Sequence, residues 1–334
     1  MPVRALLVTL SICTCFAVMP LALAPPSPLP PVWLHAHNCS PDEGVGVDRL
    51  ARALAARRGT VAIEQDIAWD AGRGLSVLSH DTELDGREPT LAAHFFDAMT
   101  PELDRALAAG QTATWPLVVL HLDFKSNEAA HHEAVWQLLG RHERWLTTAT
   151  RTPDGAPPSP LRPGPLLVLT EAGDGQERDF HERVAVGGRL RLFGSVPAPA
   201  ETPGLGRDER AAAAVETPAA AMIPSAATSY RRWVNFPWAV VERGGPPAAG
   251  AWDADDRRRL DALVARARAQ GLWIRFYTLN GHAGRRDGWT DGYNFGAEAA
   301  VRERWEAAVA AGVEFIATDQ YEEFSRWRAA RPAR

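Results

Sequence analysis

Histidines and carboxylates gather at the ends of the first predicted strands of this chain. The first strand ends in His35-Ala36-His37-Asn38, the second contains Glu64-Gln65-Asp66, and the third contains His121-Leu122-Asp123-Phe124-Lys125. A further pair, His80-Asp81, follows the second strand. Because successive side chains of a strand point to opposite faces, the two acids of the second strand share one face, as do the histidine, acid and lysine of the third. Strand geometry can therefore bring these groups to one site.

These residue types together suit one kind of chemistry. The carboxylates of Glu64, Asp66 and Asp123 suit a hard divalent cation, either Mg²⁺ or Ca²⁺. Two imidazoles can share acid and base work, and a lysine can hold an anion such as phosphate. The set indicates metal-assisted phosphodiester chemistry.

Length and composition bound the class of protein. The chain has 334 residues, of which 46% are hydrophobic and 23% charged, an ordinary globular composition with enough apolar material for a large core. One large domain is expected. The net charge of -5 and the isoelectric point near 6.1 give no basic field of the kind that binds nucleic acid, so we expect no nucleic-acid partner.

The N-terminal segment is typical of an export signal. Arg4 is followed by an apolar run from Ala5 to Ala24 that ends in small residues, so we expect a signal peptide over residues 1–24 and a mature chain that starts near Pro25. Residues 25–31 form a proline-rich spacer. The expected location is secreted or in the cell envelope. The apolar run is also long enough to span a bilayer, so an uncleaved anchor is the alternative.

Short β-rich runs alternate with longer helical patterns after this spacer. The eight predicted strands are 32–37, 60–69, 117–125, 166–170, 190–196, 232–236, 273–279 and 313–318. Helical spacing of apolar residues marks 47–58, 91–109, 128–146, 177–186, 207–221, 253–270, 297–311 and 321–330. Regular βα alternation over this length favours an α/β fold, a TIM-type (β/α)8 barrel in a single domain over residues 32–330. A doubly wound open sheet is the competitor, but no G-x-G-x-x-G follows the first strand.

A barrel assigns positions to several other polar residues. His35 and His121 lie deeper on their strands and are expected as hydrogen-bonded interior groups. Asp319 ends the last strand and either orients a catalytic imidazole or caps the following helix. Buried Glu64 and Asp66 need a partner, and the alternative to a metal ion is an ion-pair network with barrel arginines. The histidines expected on the surface, in helical segments, are His94, His131, His132, His142 and His181.

A glycine-rich segment, Gly281 to Gly296, follows the seventh strand and carries aromatic residues. Loops at that end of a barrel carry its function, so the segment is expected to form a lid that brings Trp289 or Tyr293 to the substrate. A plain surface loop with an aromatic anchor is the alternative. Trp238, after the sixth strand, and Trp289 are candidates for cation–π contact with a lipid or choline-like head group.

The ordered set His37-Asn38, Glu64-x-Asp66, His80 and Asp123-x-Lys125 resembles the phospholipase-C-like phosphodiesterase superfamily. This superfamily includes glycerophosphodiester phosphodiesterases and the spider-venom type of sphingomyelin phospholipase D. The resemblance extends to residues 276–280 and 311–319, although residues 171–227 match nothing in it. It implies a TIM-type barrel, a Mg²⁺ or Ca²⁺ ion held by the E-x-D pair and a third acid, and two histidines as acid and base.

Carried over position by position, the resemblance implies roles for individual residues. The implied catalytic imidazoles are His37 and His80. The implied metal ligands are Glu64, Asp66 and Asp123. The candidate substrate-binding residues are Lys125, which would contact the phosphate, Asn38, Trp289 and Tyr293.

Two departures from the glycerophosphodiesterase pattern indicate which branch of the superfamily the chain resembles. Asp123 stands where those enzymes usually have Glu, and the segment after His80 is too short for their extra subdomain. Both departures favour the sphingomyelinase D branch or a small separate branch. The cysteines that usually follow the second histidine in the venom enzymes are absent here.

Three functions are compatible with these residues. The leading interpretation is a secreted, metal-dependent phosphoric diester hydrolase that acts on glycerophosphodiesters or phospholipid head groups by histidine acid–base catalysis. Its partner would be a small-molecule or lipid phosphodiester, with contact to a membrane surface left open and a monomer expected. A catalytically inactive barrel that serves as a ligand-binding protein is the second interpretation. A glycosidase that uses Glu64 with another acid is the third, but acids on one strand face are better placed to share a metal than to flank a glycosidic bond.

Overall fold

The computed structural model describes residues 34–41, 49–110, 115–199, 204, 206–283 and 291–331. The predicted signal peptide (1–24) and proline-rich spacer (25–31) lie outside the described residues, as does Trp289. The assignments of these three stay predictions.

Eight parallel strands form a barrel at the centre of the molecule. In the order in which they pair, these strands are Phe193–Gly194, Leu166–Thr170, Val118–Phe124, Val61–Asp70, Leu34–Ala36, Phe315–Thr318, Trp273–Tyr277 and Trp233–Pro237. A parallel bridge from Ser195 to Trp233 joins the two ends of this order. Because an open doubly wound sheet would leave two edges unpaired, the predicted α/β TIM-type barrel is confirmed. The described strands are β1 Leu34–Ala36, β2 Val61–Asp70, β3 Leu75–Leu78, β4 Val118–Phe124, β5 Ala149–Thr150, β6 Leu166–Thr170, β7 Arg189–Leu190, β8 Phe193–Gly194, β9 Trp233–Pro237, β10 Trp273–Tyr277 and β11 Phe315–Thr318.

Helices surround the barrel, and most lie close to the predicted positions, but the predicted helix over 177–186 is reduced to a short π-helical segment, Arg178–Glu182. The predicted helix over 207–221 is divided in two, because Pro218 cannot continue the first helix. None of the helices in the described part of the chain combines the length and the apolar character that crossing a membrane requires. The helices are α1 Arg49–Ala56, α2 Ala98–Ala109, α3 Ala129–Arg141, α4 Arg207–Glu216, α5 Ala219–Met222, α6 Gly245–Ala248, α7 Ala254–Ala269, α8 Glu298–Ala311 and α9 Tyr321–Ala329.

The second strand continues beyond the barrel as one arm of a hairpin. Its last four residues, Ile67 to Asp70, pair antiparallel with β3 through a turn in which Gly74 has a positive φ of 66°. This hairpin was not predicted, although two glycines between apolar residues are a recognised turn signal. The hairpin carries the chain to residues 79–89, which lie beside the mouth of the barrel.

Parallel register places the chemical residues next to each other. Glu64 lies opposite His121, and Asp66 lies opposite Asp123, in the pairing of β2 with β4. His35 and His121 have no exposed surface, which confirms their predicted interior position. Their ring nitrogens, however, have no hydrogen-bond partner among the described residues, so the predicted interior hydrogen bonds are not found.

Three of the helical histidines are buried, so their predicted surface position was wrong. His131 Nε2 lies 2.9 Å from Ser76 Oγ, and His132 Nδ1 lies 2.7 Å from Asp179 Oδ2. His181 Nε2 lies 3.1 Å from the hydroxyl oxygen of Ser229. Each ring lies on the side of its helical segment that packs on the barrel, where a polar partner compensates for burial.

Candidate functional site

A cleft of about 860 Å³ opens at the carboxyl ends of the barrel strands. Its inner walls come from the ends of β1, β2, β4, β6, β9, β10 and β11, and its outer wall comes from residues 79–89. This end of a (β/α)8 barrel is where active sites are built, because residues from several strands converge there. The sequence-predicted residues that line the cleft are His37, Asn38, Glu64, Asp66, His80, Asp123, Lys125 and Tyr293.

Three carboxylates meet at the floor of this cleft. Glu64, Asp66 and Asp123 each offer an oxygen, and these oxygens lie within 4.8 Å of one another. Glu64 and Asp66 are buried, whereas Asp123 is partly exposed to the cleft. The structure therefore brings the predicted ligand set together, as strand parity and the pairing of β2 with β4 require.

Two basic side chains approach the same carboxylates. Lys125 Nζ lies 2.8 Å from Asp123 Oδ2 and 3.4 Å from Asp66 Oδ1. Arg275 donates through Nη2 to Glu64 Oε2, in an ion pair that is almost fully buried. The ion-pair alternative for the buried acids is thus present for Glu64 alongside the carboxylate cluster. Three carboxylates thus face two basic side chains on the cleft floor.

The titration of the acids reflects this balance of charge. Burial opposes ionisation of Glu64, but Arg275, His37 and His121 together outweigh it and hold the pKa of Glu64 well below its usual range. Burial and the negative charge of Glu64 raise the pKa of Asp66 to about 7. For Lys125 the effect of burial is outweighed by Asp66 and Asp123, so the pKa of Lys125 is raised.

The donor set and charge of the cluster fit a hard divalent cation. All the offered atoms are carboxylate oxygens, which are the ligands that Mg²⁺ and Ca²⁺ prefer. Burial, and then repulsion from Glu64 and Asp123, raise the pKa of Asp66, so its negative charge is disfavoured in the absence of a further cation. A bound cation would relieve this repulsion. Glu64, Asp66 and Asp123 are therefore the residues that would hold the ion.

His37 is fixed at the edge of the cleft by Asp319. Its Nδ1 lies 3.0 Å from Asp319 Oδ1, which also accepts from Arg49 Nη2 at 2.7 Å. Asn280 Nδ2 donates to the other oxygen of Asp319 at 2.7 Å. Burial disfavours the imidazolium of His37, but the charges of Asp319 and Glu64 outweigh it and raise the pKa of His37 to about 9. Of the two predicted roles of Asp319, the contact with the imidazole is therefore present.

The backbone after β1 is also held in place. Tyr321 donates its hydroxyl to the carbonyl oxygen of His37 at 2.5 Å, and Arg49 donates to the same oxygen at 3.3 Å. Asn38 follows with a positive φ of 53°, a conformation that asparagine tolerates better than most residues. Asn38 lines the cleft, and its side-chain Oδ1 is buried without a hydrogen-bond partner among the described residues.

His80 reaches the cleft from the outer wall. It lies two residues beyond β3, and 62% of its side chain is exposed. Its Nδ1 is 4.0 Å from Asp81 Oδ1, too far for a hydrogen bond. The structure thus brings both predicted catalytic histidines to one cleft, with His37 fixed by buried partners and His80 on an open loop.

Aromatic side chains line the cleft near His37. The rings of His37 and Tyr293 meet edge to face at 5.8 Å between centroids, and Tyr277 meets Tyr293 at 6.3 Å. Tyr293 shows that the described end of the Gly281–Gly296 segment lies at the mouth of the barrel. Residues 284–290 of this segment, with Trp289, lie outside the described residues, so its action as a lid stays a prediction. Trp238 is fully buried and donates to Glu242, so its predicted contact with a head group is wrong.

Three polar residues beside Glu64 were not predicted from the sequence, and neither were Arg49 and Tyr277, which also line the cleft. Arg275 bridges Glu64 and Asn235, whose Oδ1 it reaches at 2.8 Å. Asn235 Nδ2 donates to Glu171 Oε1 at 2.6 Å, and His121 Nε2 lies 3.5 Å from the same oxygen. A signal was available, because Arg275 in Trp-Ile-Arg-Phe-Tyr and Asn235 in Trp-Val-Asn-Phe-Pro are polar residues inside apolar strands.

Comparisons with known proteins add little to this description. No family model and no curated protein matches the chain. A crystal structure of a glycerophosphoryl diester phosphodiesterase from Parabacteroides distasonis is similar to it, with a TM-score of 0.37 and 12% sequence identity over 85% of this chain and 80% of that one. The closed parallel sheet, rather than this likeness, establishes the barrel.

Proposed function

We propose that this chain is a metal-dependent phosphoric diester hydrolase that acts on glycerophosphodiesters or phospholipid head groups. The observation that carries the proposal is the meeting of three carboxylates, an ammonium group and two imidazoles in one open cleft. The carboxylate triad gives a cation a place to bind. One imidazole can then take a proton from the attacking oxygen, and the other can give a proton to the leaving oxygen of a phosphodiester.

The divalent cation would be held by Glu64, Asp66 and Asp123. When bound, Mg²⁺ or Ca²⁺ neutralises charge on the phosphate and makes phosphorus easier to attack. Lys125 supplies a further positive charge at the same end of the cleft. Asn38, also in the cleft wall, offers an amide group to a phosphate oxygen.

The two histidines take opposite roles in this proposal. His37 is held as an imidazolium by Asp319, so it donates a proton to the leaving alkoxide. His80 accepts the proton of the attacking hydroxyl group, which comes from water or from a neighbouring hydroxyl of the substrate. Attack by a substrate hydroxyl yields a cyclic phosphate, whereas attack by water yields a monoester, and ³¹P NMR of the product distinguishes the two.

The carboxylate geometry gives the glycosidase alternative no support. A glycosidase places its two acids on opposite sides of one bond, about 5–9.5 Å apart. Glu64, Asp66 and Asp123 instead lie together on the two neighbouring strands β2 and β4, where they can share one ion. An inactive binding barrel remains the alternative that the activity experiment decides.

We propose, from the sequence, that the chain is exported and acts outside the cytoplasm as a monomer. Fractionation of the cells that make it, with N-terminal sequencing, tests this. A mature chain that begins near Pro25 agrees with a cleaved signal, and a full-length chain in the membrane fraction agrees with an anchor. Light scattering of the purified protein tests the monomer.

A substrate panel tests the proposed activity. Glycerophosphodiesters and lysophospholipids with different head groups are assayed with Mg²⁺, with Ca²⁺ and with EDTA, for the wild-type protein and for Asp66→Asn. We expect cation-dependent cleavage that EDTA abolishes and Asp66→Asn reduces at least ~100-fold. Glu83→Gln is the matched control, because it removes a carboxylate from the outer wall of the same cleft. Binding without turnover across the panel would favour the inactive barrel, and full activity in EDTA would exclude the metal-dependent mechanism.

A further inference from the structure

Lys125 is the one lysine in the sequence of this protein. The chain has 36 lysine and arginine residues in total, and all of them except Lys125 are arginines. This lysine lies in the carboxylate cluster on the cleft floor. Arginine and lysine differ in a way that matters at such a place: arginine presents a rigid planar fork, whereas lysine is a compact charge on a flexible stem. The lysine is therefore suited to a charge that has to move.

The ammonium group occupies part of the site that a cation needs. Lys125 Nζ is 2.8 Å from Asp123 Oδ2 and 3.4 Å from Asp66 Oδ1, so it lies between two of the three carboxylates. A divalent cation would bind carboxylate oxygens at about 2.0–2.6 Å. Two positive charges held by the same two carboxylates at this range repel each other strongly. Lys125 and a cation in the triad therefore compete.

The second cation of the cluster is fixed, in contrast to Lys125. The guanidinium of Arg275 is held between Glu64 and Asn235, and its side chain is almost fully buried. The side chain of Lys125 is 19% exposed and lines the cleft. Lys125 has room to turn toward the cleft, whereas Arg275 has not. The cluster thus combines one permanent counter-charge with one that can leave.

We propose that Lys125 is a displaceable internal counter-ion. It neutralises the Asp66–Asp123 pair until a divalent cation binds to the triad, and its ammonium group then turns into the cleft and binds the phosphate of the substrate. The proposal rests on the cation site of the proposed function and adds an order of events, in which the cation binds before the phosphodiester. By linkage, cation and phosphate then strengthen each other's binding.

Calorimetry on the purified protein tests the competition without any assay of turnover. Lys125→Met removes the competing charge, so we expect it to bind Mg²⁺ and Ca²⁺ on the order of tenfold more tightly than wild type. Lys125→Arg replaces the movable charge with a fork that engages both aspartates, so we expect cation binding at least ~10-fold weaker. Arg87→Met is the matched control, since it removes a positive charge from the exposed rim of the same cleft. The control should stay within about twofold of wild type.

The single lysine also permits a direct observation of its movement. In protein labelled with ¹³C-lysine, one Cε signal reports Lys125. We expect this signal to shift on addition of Mg²⁺ and again on addition of inorganic phosphate to the Mg²⁺-loaded protein. We also expect Lys125→Met to lose at least ~10-fold in phosphate affinity in saturating Mg²⁺, because the released ammonium group is then missing.

Each outcome has a distinct meaning. Tighter cation binding and weaker phosphate binding in Lys125→Met, with a lysine signal that responds in two steps, support the counter-ion. If wild type binds the cation and Lys125→Met binds it equally or more weakly, the counter-ion is refuted while the cation site stands. If neither protein binds Mg²⁺ or Ca²⁺, both the counter-ion and the metal-dependent function are refuted.

Discussion

Replacing Asp319 with asparagine tests whether this carboxylate keeps His37 protonated. Asp319 Oδ1 lies 3.0 Å from His37 Nδ1 and accepts from Arg49, and Oδ2 accepts from Asn280. Asparagine preserves the shape of the side chain but removes the negative charge. The substitution therefore separates electrostatic support of the imidazolium from the packing around it.

The expected magnitude follows from the pKa of His37. Burial lowers it, yet Asp319 and Glu64 raise it to about 9, against an ordinary value of 6.5. This difference corresponds to roughly 3 kcal/mol in favour of the imidazolium. Without the charge of Asp319, the lowering effect of burial is no longer outweighed, and the pKa of His37 should fall back toward 6.5 or below. At pH 7.5 about a tenth or less of the histidine would then remain protonated.

The same shift predicts how stability depends on pH. A histidine whose pKa is higher in the folded than in the unfolded protein stabilises the fold fully below the unfolded value. That contribution is lost as pH rises through the folded value, so wild type without metal should lose stability between about pH 6.5 and 9. Asp319→Asn should lack this loss, although it should be less stable throughout because buried Arg49 loses its carboxylate.

Two measurements check this reasoning. NMR titration of the His37 ring in EDTA gives its pKa, and the pH–rate profile on the best phosphodiester gives the catalytic consequence. We expect the variant rate at pH 7.5 to fall at least about tenfold, in line with the loss of imidazolium, and to recover partly as pH is lowered. Glu322→Gln, which removes one partner of the half-exposed Arg52–Glu322 pair, should leave both measurements unchanged. A His37 pKa that stays near 9 in Asp319→Asn would refute the role of Asp319.

Three further predictions concern other groups. His80→Ala should lower kcat about 100-fold and leave the unfolding temperature unchanged, because its side chain is 62% exposed; a fully active variant would remove His80 from the mechanism. Arg304→Met should lower the free energy of unfolding in urea by about 3–5 kcal/mol, because buried Glu242 loses its partner; a loss below 1 kcal/mol would contradict this. Burial raises the pKa of Glu314 to about 7, so ionising it costs stability as pH rises from 4.5 through 7. Glu314→Gln should therefore stabilise the protein by about 1–3 kcal/mol at pH 8 and not at pH 4, and an equal effect at both pH values would disprove it.

The barrel could be predicted because its signals are local. Each of the eight strands is a short apolar run, each is followed by a helical pattern, and parallel connections of this kind close into a barrel. The meeting of Glu64, Asp66 and Asp123 is equally local, because it needs strand parity and one pairing. Their proximity could therefore be predicted, whereas their role as metal ligands stays a prediction.

The partners of these acids could not be predicted because they depend on closure of the barrel. Arg275 lies 211 positions from Glu64 in sequence, and it reaches Glu64 because β10 faces β2 across the barrel interior. Asp319 reaches His37 for a related reason, since β11 pairs with β1. The contact of Asp319 with His37 could be proposed because Asp319 ends the last strand. The contact of Arg275 with Glu64 could not, because it depends on the register of the whole sheet.

The polar interior of the barrel is better explained by the site than by stability. Barrels of this type usually fill their centre with layers of branched aliphatic side chains. Here the buried pair Glu64–Arg275 and the rings of His35 and His121 lie there instead. Buried ion pairs are often no more stabilising than apolar residues of the same volume, because desolvation offsets the attraction. What Arg275 does supply is an ionised Glu64 in a fixed orientation at the cleft floor, which is what a cation site requires.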